Sequence, residues 1–368
     1  MPTLVHPAFH PATDGGLSSA VASYFNSGIK PTTWARYTSA CRRFIDWMVA
    51  SGLSSGGVCP PPSVATLCFY SAHRARSGIL PAGIRQELTA VSQLFLAHGF
   101  DHPLRDPATG RTLFRLYRVL RGISLRHSAA TRTRLPLTTG LLRKIHPVLG
   151  VACPWAHPND LMLLWSALTL GVYGMLRISE FSCPGATKSS EWSTRRGDIH
   201  LVSEETGEML VLTLRDSKTD YARQGVTLKI FANGSSTCPV AAFKAYAAVS
   251  SHRQQGDPLY TLEDGSFLAR DRLTVALRRA LAHVGYDPLL FASHSLRIGG
   301  VVSAAACGAG IQTLKKLGRW VSDCVLTYLQ LPDAMVRDAH RGMGAVSDAD
   351  LENSDLRHKA YAARSDDL

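Results

Sequence analysis

No run of apolar residues in this 368-residue chain reaches the roughly 20 that a membrane-spanning helix needs. The N-terminus also lacks the basic-then-apolar layout of a secretory signal. The eight cysteines (Cys41, Cys59, Cys68, Cys153, Cys183, Cys238, Cys307, Cys324) stand apart, without paired spacing. That points away from a disulfide framework and toward reduced intracellular thiols. Cys153 and His157, in CPWAHP, have a ligand-like gap, but no second pair accompanies them, so no metal site is expected. No G-x-G-x-x-G follows a strand pattern, so a nucleotide-binding glycine loop is missing too. These absences leave the expectation of a soluble intracellular protein, nuclear if its host is eukaryotic.

What is present is a chain rich enough in apolar residues to fold. It is 45% hydrophobic and 18% charged, enough to bury substantial cores, and its length makes two domains the natural expectation. Its formal charge of +12 calls for an acidic partner, with nucleic acid the leading candidate.

Residues 1–15, with three prolines and no apolar period, read as a flexible arm. Residues 16–125 read as a small all-helical domain. Trp34, Tyr37, Cys41, Phe44, Ile45 and Met48 repeat at spacings of three and four after Pro31. Further helices are predicted at Ser63–Ser77, Pro81–His98 and Thr112–Gly122. In the last, Arg115, Arg118 and Arg121 recur three apart and make a basic face. Residues 126–136, RHSAATRTRLP, form a linker with Arg126, Arg132 and Arg134 and no acid. It is either a solvated connector or a strap along a phosphate backbone.

A second domain is expected over 137–345. Thr138–Leu149 reads as one helix and Asn159–Phe181 as a longer, almost wholly apolar one with Arg177 inside it. Burying an unpaired arginine costs several kcal/mol. Glu180, three residues on, either locks that arginine to the core or leaves a stiff guanidinium at the floor of a cleft. The period then changes to that of strands at Ile199–Val202, Met209–Leu214 and Gly225–Phe231, with Lys218 near a hairpin tip. Helices return at Val240–Ser250 and Asp271–Gly285. The acidic tail, 346–368, is either a solvated tail or a docking segment.

The stretch 291–330, FASHSLRIGGVVSAAACGAGIQTLKKLGRWVSDCVLTYLQ, organises this domain. His294 and Arg297 stand at a helix start that Ser293 and Ser295 suit for capping, and the Gly299-Gly300 pair permits close backbone approach. Ile311–Leu317 makes a short helix. Gly318-Arg319-Trp320 turns the chain, and Ser322 or Asp323 caps a last helix carrying Tyr328. Each residue alone reads equally as a cap, core or anchor. Together they supply forked donors for a phosphodiester's oxygens and a phenol able to attack it.

In LRISEF, DSKTD, SHSLR, GRW and Tyr328, taken in order over 137–330, the chain resembles the tyrosine recombinase or phage integrase family. Trp320 stands where many members have histidine, and its spacing to Tyr328 is one residue shorter than in most bacterial members. Both features resemble the eukaryotic mobile-element branch of the DIRS, Ngaro and Crypton kind. The resemblance implies a mainly α fold with a small antiparallel β-sheet in the C-terminal domain. The helical core-binding bundle and the α+β catalytic domain would form a C-shaped clamp on double-stranded DNA. It further implies that Tyr328 attacks the scissile phosphate and forms a 3′-phosphotyrosyl bond. Arg177 and Arg297 would hold the non-bridging oxygens, Lys218 would act as general acid and His294 as base or donor. Trp320 would donate its indole N–H or pack on Tyr328, and Glu180 would support the arginines. No metal or organic cofactor is implied, and the assembly would be a homotetramer on two DNA sites. A type IB topoisomerase shares this chemistry, and a domesticated DNA-binding protein that no longer cuts is the alternative of another class.

Overall fold

The structure is a computed structural model that describes residues 19–20, 23–24, 27–54, 59–127, 134–205, 207–217 and 224–329. The expected arm (1–15) and acidic tail (346–368) lie outside them, as do Arg132 and Lys218. The chain divides into two compact units, 1–131 and 132–368.

In the first unit the apolar spacing folds as its period requires. Helices α1 (Pro31–Ala50), α2 (Val64–Arg76), α3 (Pro81–Ala97) and α4 (Phe114–Arg126) surround one core. Prolines open α1 and α3, where their fixed φ suits the first turn and the missing N–H costs nothing. Cys41, Phe44 and Met48 of α1 are buried, while Trp34, Tyr37 and Ile45 lie half-buried at the edge of the same face. One carboxylate is buried here with full compensation. Glu87 accepts from Arg74 Nε at 2.8 Å, Arg43 Nε at 3.1 Å and the Tyr70 hydroxyl at 3.0 Å. Helix α4 runs one turn further than the sequence pattern suggests. Arg126 is therefore its last residue rather than the start of a linker.

In the second unit two expected helices are interrupted. Thr138–Leu149 is α5 (Thr139–Ile145) followed by a 3-10 turn at His146–Val148 and a short turn at Leu149–Ala152. Pro147 has no N–H to continue the ladder. The apolar helix α6 (Pro158–Tyr173) stops at Gly174 instead of reaching Phe181, so Arg177 stands outside it. Met175 N–H bonds Val172 O, and Leu176 N–H bonds Gly171 O across a left-handed Met175 (φ 45°). This is a Schellman ending with methionine where glycine is usual. Buried on nearly every face, α6 is the centre of the unit, as its continuous apolar character demands.

The expected sheet is present. Strands β1 (Ile199–Glu204), β2 (Gly207–Leu214) and β3 (Val226–Phe231) pair antiparallel in that order, with Leu201 opposite Leu210 and Leu210 opposite Ile230. Helices α7 (Pro239–Val249) and α8 (Arg270–His283) complete the core. Helix α9 (His294–Ala306) lies against α6 through Gly300 and against the chain before α5, at Leu137, through Gly299. A Cβ on Gly299 would sit 1.9 Å from Leu137 O, and one on Gly300 would sit 2.3 Å from Val172 O. Helix α10 (Ile311–Gly318) and a 3-10 segment, Asp323–Tyr328, close the described chain.

Candidate active site

Three chain turns meet around one carboxylate. The first is the turn after α6. Arg177 is the N-cap of a 3-10 turn, Ile178–Glu180, and the Glu180 side chain reaches back to it. Glu180 Oε2 accepts the Arg177 backbone N–H at 2.8 Å, and Oε1 accepts Arg177 Nη1 at 2.8 Å. The pairing expected between these residues is present, but it arises from a capping turn rather than a shared helical face. Arg177 is only partly covered. Among the described residues its Nε and Nη2 meet no hydrogen-bond acceptor, so half of its fork remains available.

The second element is α9. His294 is its first residue, and Ser293 occupies the cap position without bonding through its side chain. The expected serine cap is instead a local turn, with Ala292 N–H donating to Ser295 Oγ at 3.1 Å. One turn in, Arg297 is 1% exposed. It is the arginine that is fully buried, the situation the sequence suggested for Arg177. Its Nη1 donates to Met175 O and its Nη2 to Gly318 O at 2.6 Å. Its guanidinium lies 4.1 Å from the centre of the Trp320 ring, within cation–π range.

The third element is the end of α10. Trp320 N–H bonds Lys315 O across Arg319, which is left-handed at φ 59°. This turns the chain so that Trp320 packs over Gly318, where a Cβ would meet the indole at 1.5 Å. Arg319, to which the sequence reading gave no role, folds inward. Its Nη2 donates to Glu180 Oε2 at 2.9 Å and its Nη1 to Gly174 O at 3.1 Å. The signal was available in the motif itself: a cation beside Trp320, and a buried glutamate with more acceptor capacity than one arginine fills.

Tyr328 closes the group. Its ring centre is 5.3 Å from that of His294 and 5.7 Å from that of Trp320. It sits on a 3-10 segment rather than an α-helix. Ser322 is the N-cap without a side-chain bond, and Asp323 pairs with Lys315 at 3.0 Å. Met175, Val301, Leu314, Trp320 and Val325 form a small apolar cluster beneath the tyrosine.

The electrostatics follow from three guanidinium groups crowded around one carboxylate. Arg297 is pulled down to about 10, by burial first and then by Arg177 and Arg319. Arg319 is lowered mainly by burial, with Glu180 opposing the shift. His294 is held below its ordinary range by burial and by Arg297 and Arg177, so its imidazole is neutral at pH 7. A cluster with this excess of positive charge is relieved by an anion. Planar forks favour an oxyanion such as phosphate.

Of the other expected site residues, Arg115, Arg118, Arg121 and Arg126 are all exposed on α4. Arg118 lies over the Phe114 ring at 5.9 Å. Arg134 is tied to Leu289 O at 2.5 Å, which anchors it to the second unit. Lys218 lies outside the described residues. The root of its hairpin, Ser217, reaches Glu180 Oε1 at 3.5 Å. Among the described residues no group of His, Cys, Asp and Glu suits a metal ion, and no helix is long and apolar enough to cross a membrane. Cys153 is buried in the core, and His157 caps α6 by accepting the Asn159 N–H at 3.2 Å.

No family model and no curated protein matches the chain. Solved structures do. The Tn1549 transposon integrase in complex with circular intermediate DNA is 15% identical, with a TM-score of 0.52 over 88% of this chain and 97% of that one. A lambda integrase dimer bound to a COC′ core site is also 15% identical, with a TM-score of 0.51 over 85% and 93%. XerH recombinase bound to a palindromic difH substrate is 11% identical, with a TM-score of 0.50 over 76% and 69%. At such identities the likeness is one of architecture, and it extends over both units. The chain has the fold of the tyrosine recombinases and integrases.

Proposed function

We propose that the chain is a site-specific DNA recombinase or integrase that cuts and rejoins strands through a covalent tyrosine intermediate. The observation that carries the reading is Tyr328 packed against His294 and Trp320, with Arg297 lying over the Trp320 ring and Arg177 near enough to His294 to disfavour its charge. The Tyr328 oxygen attacks the scissile phosphorus, and the 5′ oxygen leaves. Neutral His294 accepts the phenolic proton, a role that requires its free base. Arg177 donates its unused fork to a non-bridging oxygen. Arg297 and the Trp320 indole N–H complete the donor set as negative charge builds. Lys218 supplies the proton to the departing 5′ oxygen. Because a phenol leaves more readily than an alkoxide, the 3′-phosphotyrosyl bond conserves the energy needed for rejoining.

The reading extends to the rest of the chain. The exposed arginines of α4, with Arg132 and Arg134, serve the phosphate backbone of double-stranded DNA. A homotetramer on two sites is the assembly that strand exchange requires. Trp320 and its short step to Tyr328 favour a eukaryotic mobile element, acting in the nucleus. Similar solved proteins, the Tn1549 and lambda integrases, are bound to DNA, and the same partner is proposed here.

The test needs no known target site. The protein and its Tyr328→Phe variant are expressed in cells, denatured and immunoprecipitated, and covalently retained DNA is sequenced. Adducts from the wild type alone, clustered at repeated sequences, support the reading. DNA absent from both samples counts against it in favour of a binding protein that does not cut.

A further inference from the structure

Arg319 shares Glu180 with Arg177, and the division between them is specific. Glu180 has two oxygens and a side chain almost wholly withdrawn from water. Oε1 takes one nitrogen of Arg177 at 2.8 Å and, more loosely, the Ser217 hydroxyl at 3.5 Å. Oε2 takes the Arg177 backbone N–H and Arg319 Nη2. A carboxylate normally binds an arginine through both oxygens when the fork can reach them. Here Oε2, the oxygen that a second Arg177 nitrogen would need, already accepts two donors, and among the described residues Arg177 Nε and Nη2 meet no acceptor.

We infer that Arg319 is a positioning residue. It neutralises Glu180 so that Arg177 is steadied by a single side-chain bond and offers the rest of its fork to a phosphate. The inference rests on the reading of this cleft as a phosphodiester-transfer site. Two further observations support it. Arg319 is held in a left-handed backbone conformation that disfavours side chains other than glycine and asparagine, yet it carries a buried guanidinium. Its Nε is buried without a hydrogen-bond partner, a cost that a solvent-facing side chain would avoid. If its role were only to staple the α10 end to the α6 end, the bonds to Gly174 O and Met175 O would suffice. The bond to Glu180 would then be incidental.

The two roles separate in a double-variant experiment on the purified full chain, with inorganic phosphate as the probe. Removing the cation with Arg319→Met leaves Glu180 to draw in Arg177 through both oxygens. Phosphate affinity, read by calorimetry or by the phosphate-induced rise in Tm, falls about tenfold or more. Adding Glu180→Gln removes the charge that captures Arg177 and returns affinity to within about threefold of wild type. Arg319→Lys, which keeps the charge but loses the fork, falls between, and near-UV circular dichroism checks that each variant is folded. Three results overturn the inference: a wild type unmoved by phosphate, an Arg319→Met protein that binds as wild type does, or a double variant no better than the single one. The functional reading fails separately, when wild type binds phosphate in this way yet never forms a covalent adduct with DNA.

Discussion

Met175 and Arg319 are the non-glycine residues with positive φ among the described residues, and they touch. Arg319 Nη2 lies 3.4 Å from the Met175 carbonyl, and the same carbonyl accepts from Arg297. Two helix ends, each closed by a Schellman turn on a residue poorly suited to it, thus present their last carbonyls to the site's guanidinium groups. The backbone strain amounts to about 1–2 kcal/mol at each position, and the surrounding contacts must outweigh it.

Arg319→Gly separates that strain from the electrostatics. Glycine relieves the left-handed turn, so a protein limited by backbone strain would gain about 1 kcal/mol. The buried Glu180 would lose a charged partner, which costs about 1–3 kcal/mol. Chemical denaturation is expected to show a net loss, accompanied by lower thermal stability.

Close approach of α9 to its neighbours predicts a sharp contrast between two glycines. Gly299→Ala drives a Cβ into Leu137 O and is expected to cost about 3 kcal/mol or more, since that carbonyl belongs to backbone that cannot yield cheaply. Gly122→Ala, in α4 with open space around it, should stabilise by about 0.5–1 kcal/mol through helix propensity. Urea midpoints for the two variants check both signs.

His294 predicts a pH effect. Its folded-state value lies below its ordinary 6.5 because of burial, Arg297 and Arg177. The unfolded chain therefore binds the proton more readily, and stability falls as pH drops below about 6.5. A His294→Gln variant should lose less thermal stability than wild type between about pH 7 and pH 5. A wild-type curve as flat as the variant's would show that the ring is not held neutral.

In the helical unit, Glu87 is surrounded by Arg74, Arg43 and Tyr70. Burial opposes its charge, but hydrogen bonds from Arg74 and Tyr70 outweigh that and hold its carboxyl below the ordinary value. The resulting stabilisation is present above the unfolded carboxyl value and is lost as pH falls. Glu87→Gln should cost about 3 kcal/mol at pH 7, because it strands a largely buried arginine. The difference from wild type should shrink below about pH 4. Paired denaturation curves at the two pH values measure it.

Residue types and order made much of this legible beforehand. The helical bundle and the three strands follow from period, and the family resemblance groups Arg177, His294, Arg297, Trp320 and Tyr328. What was hidden depended on backbone geometry that composition does not encode. The apolar pattern runs straight through Gly174 to Phe181, so nothing in it marks Met175 as left-handed or lifts Arg177 out of the helix. The motif shows a cation beside Trp320, but not the left-handed backbone at Arg319 that turns its side chain inward to Glu180. The burial expected of Arg177 belongs to Arg297, since only the latter sits on a helix whose glycines draw it into the core.

The chemistry at Tyr328 is tested most directly on the adduct itself. Covalent protein–DNA complexes from wild-type cells are digested with nuclease and protease, and the modified peptide is sequenced by mass spectrometry. The expected product is the peptide containing Tyr328 with a nucleotide attached through its 3′-phosphate, opposite DNA ends that a kinase labels directly because they carry free 5′-hydroxyls. Attachment at another residue, a 5′-phosphate linkage, or an adduct that persists in Tyr328→Phe would show that this tyrosine is not the nucleophile.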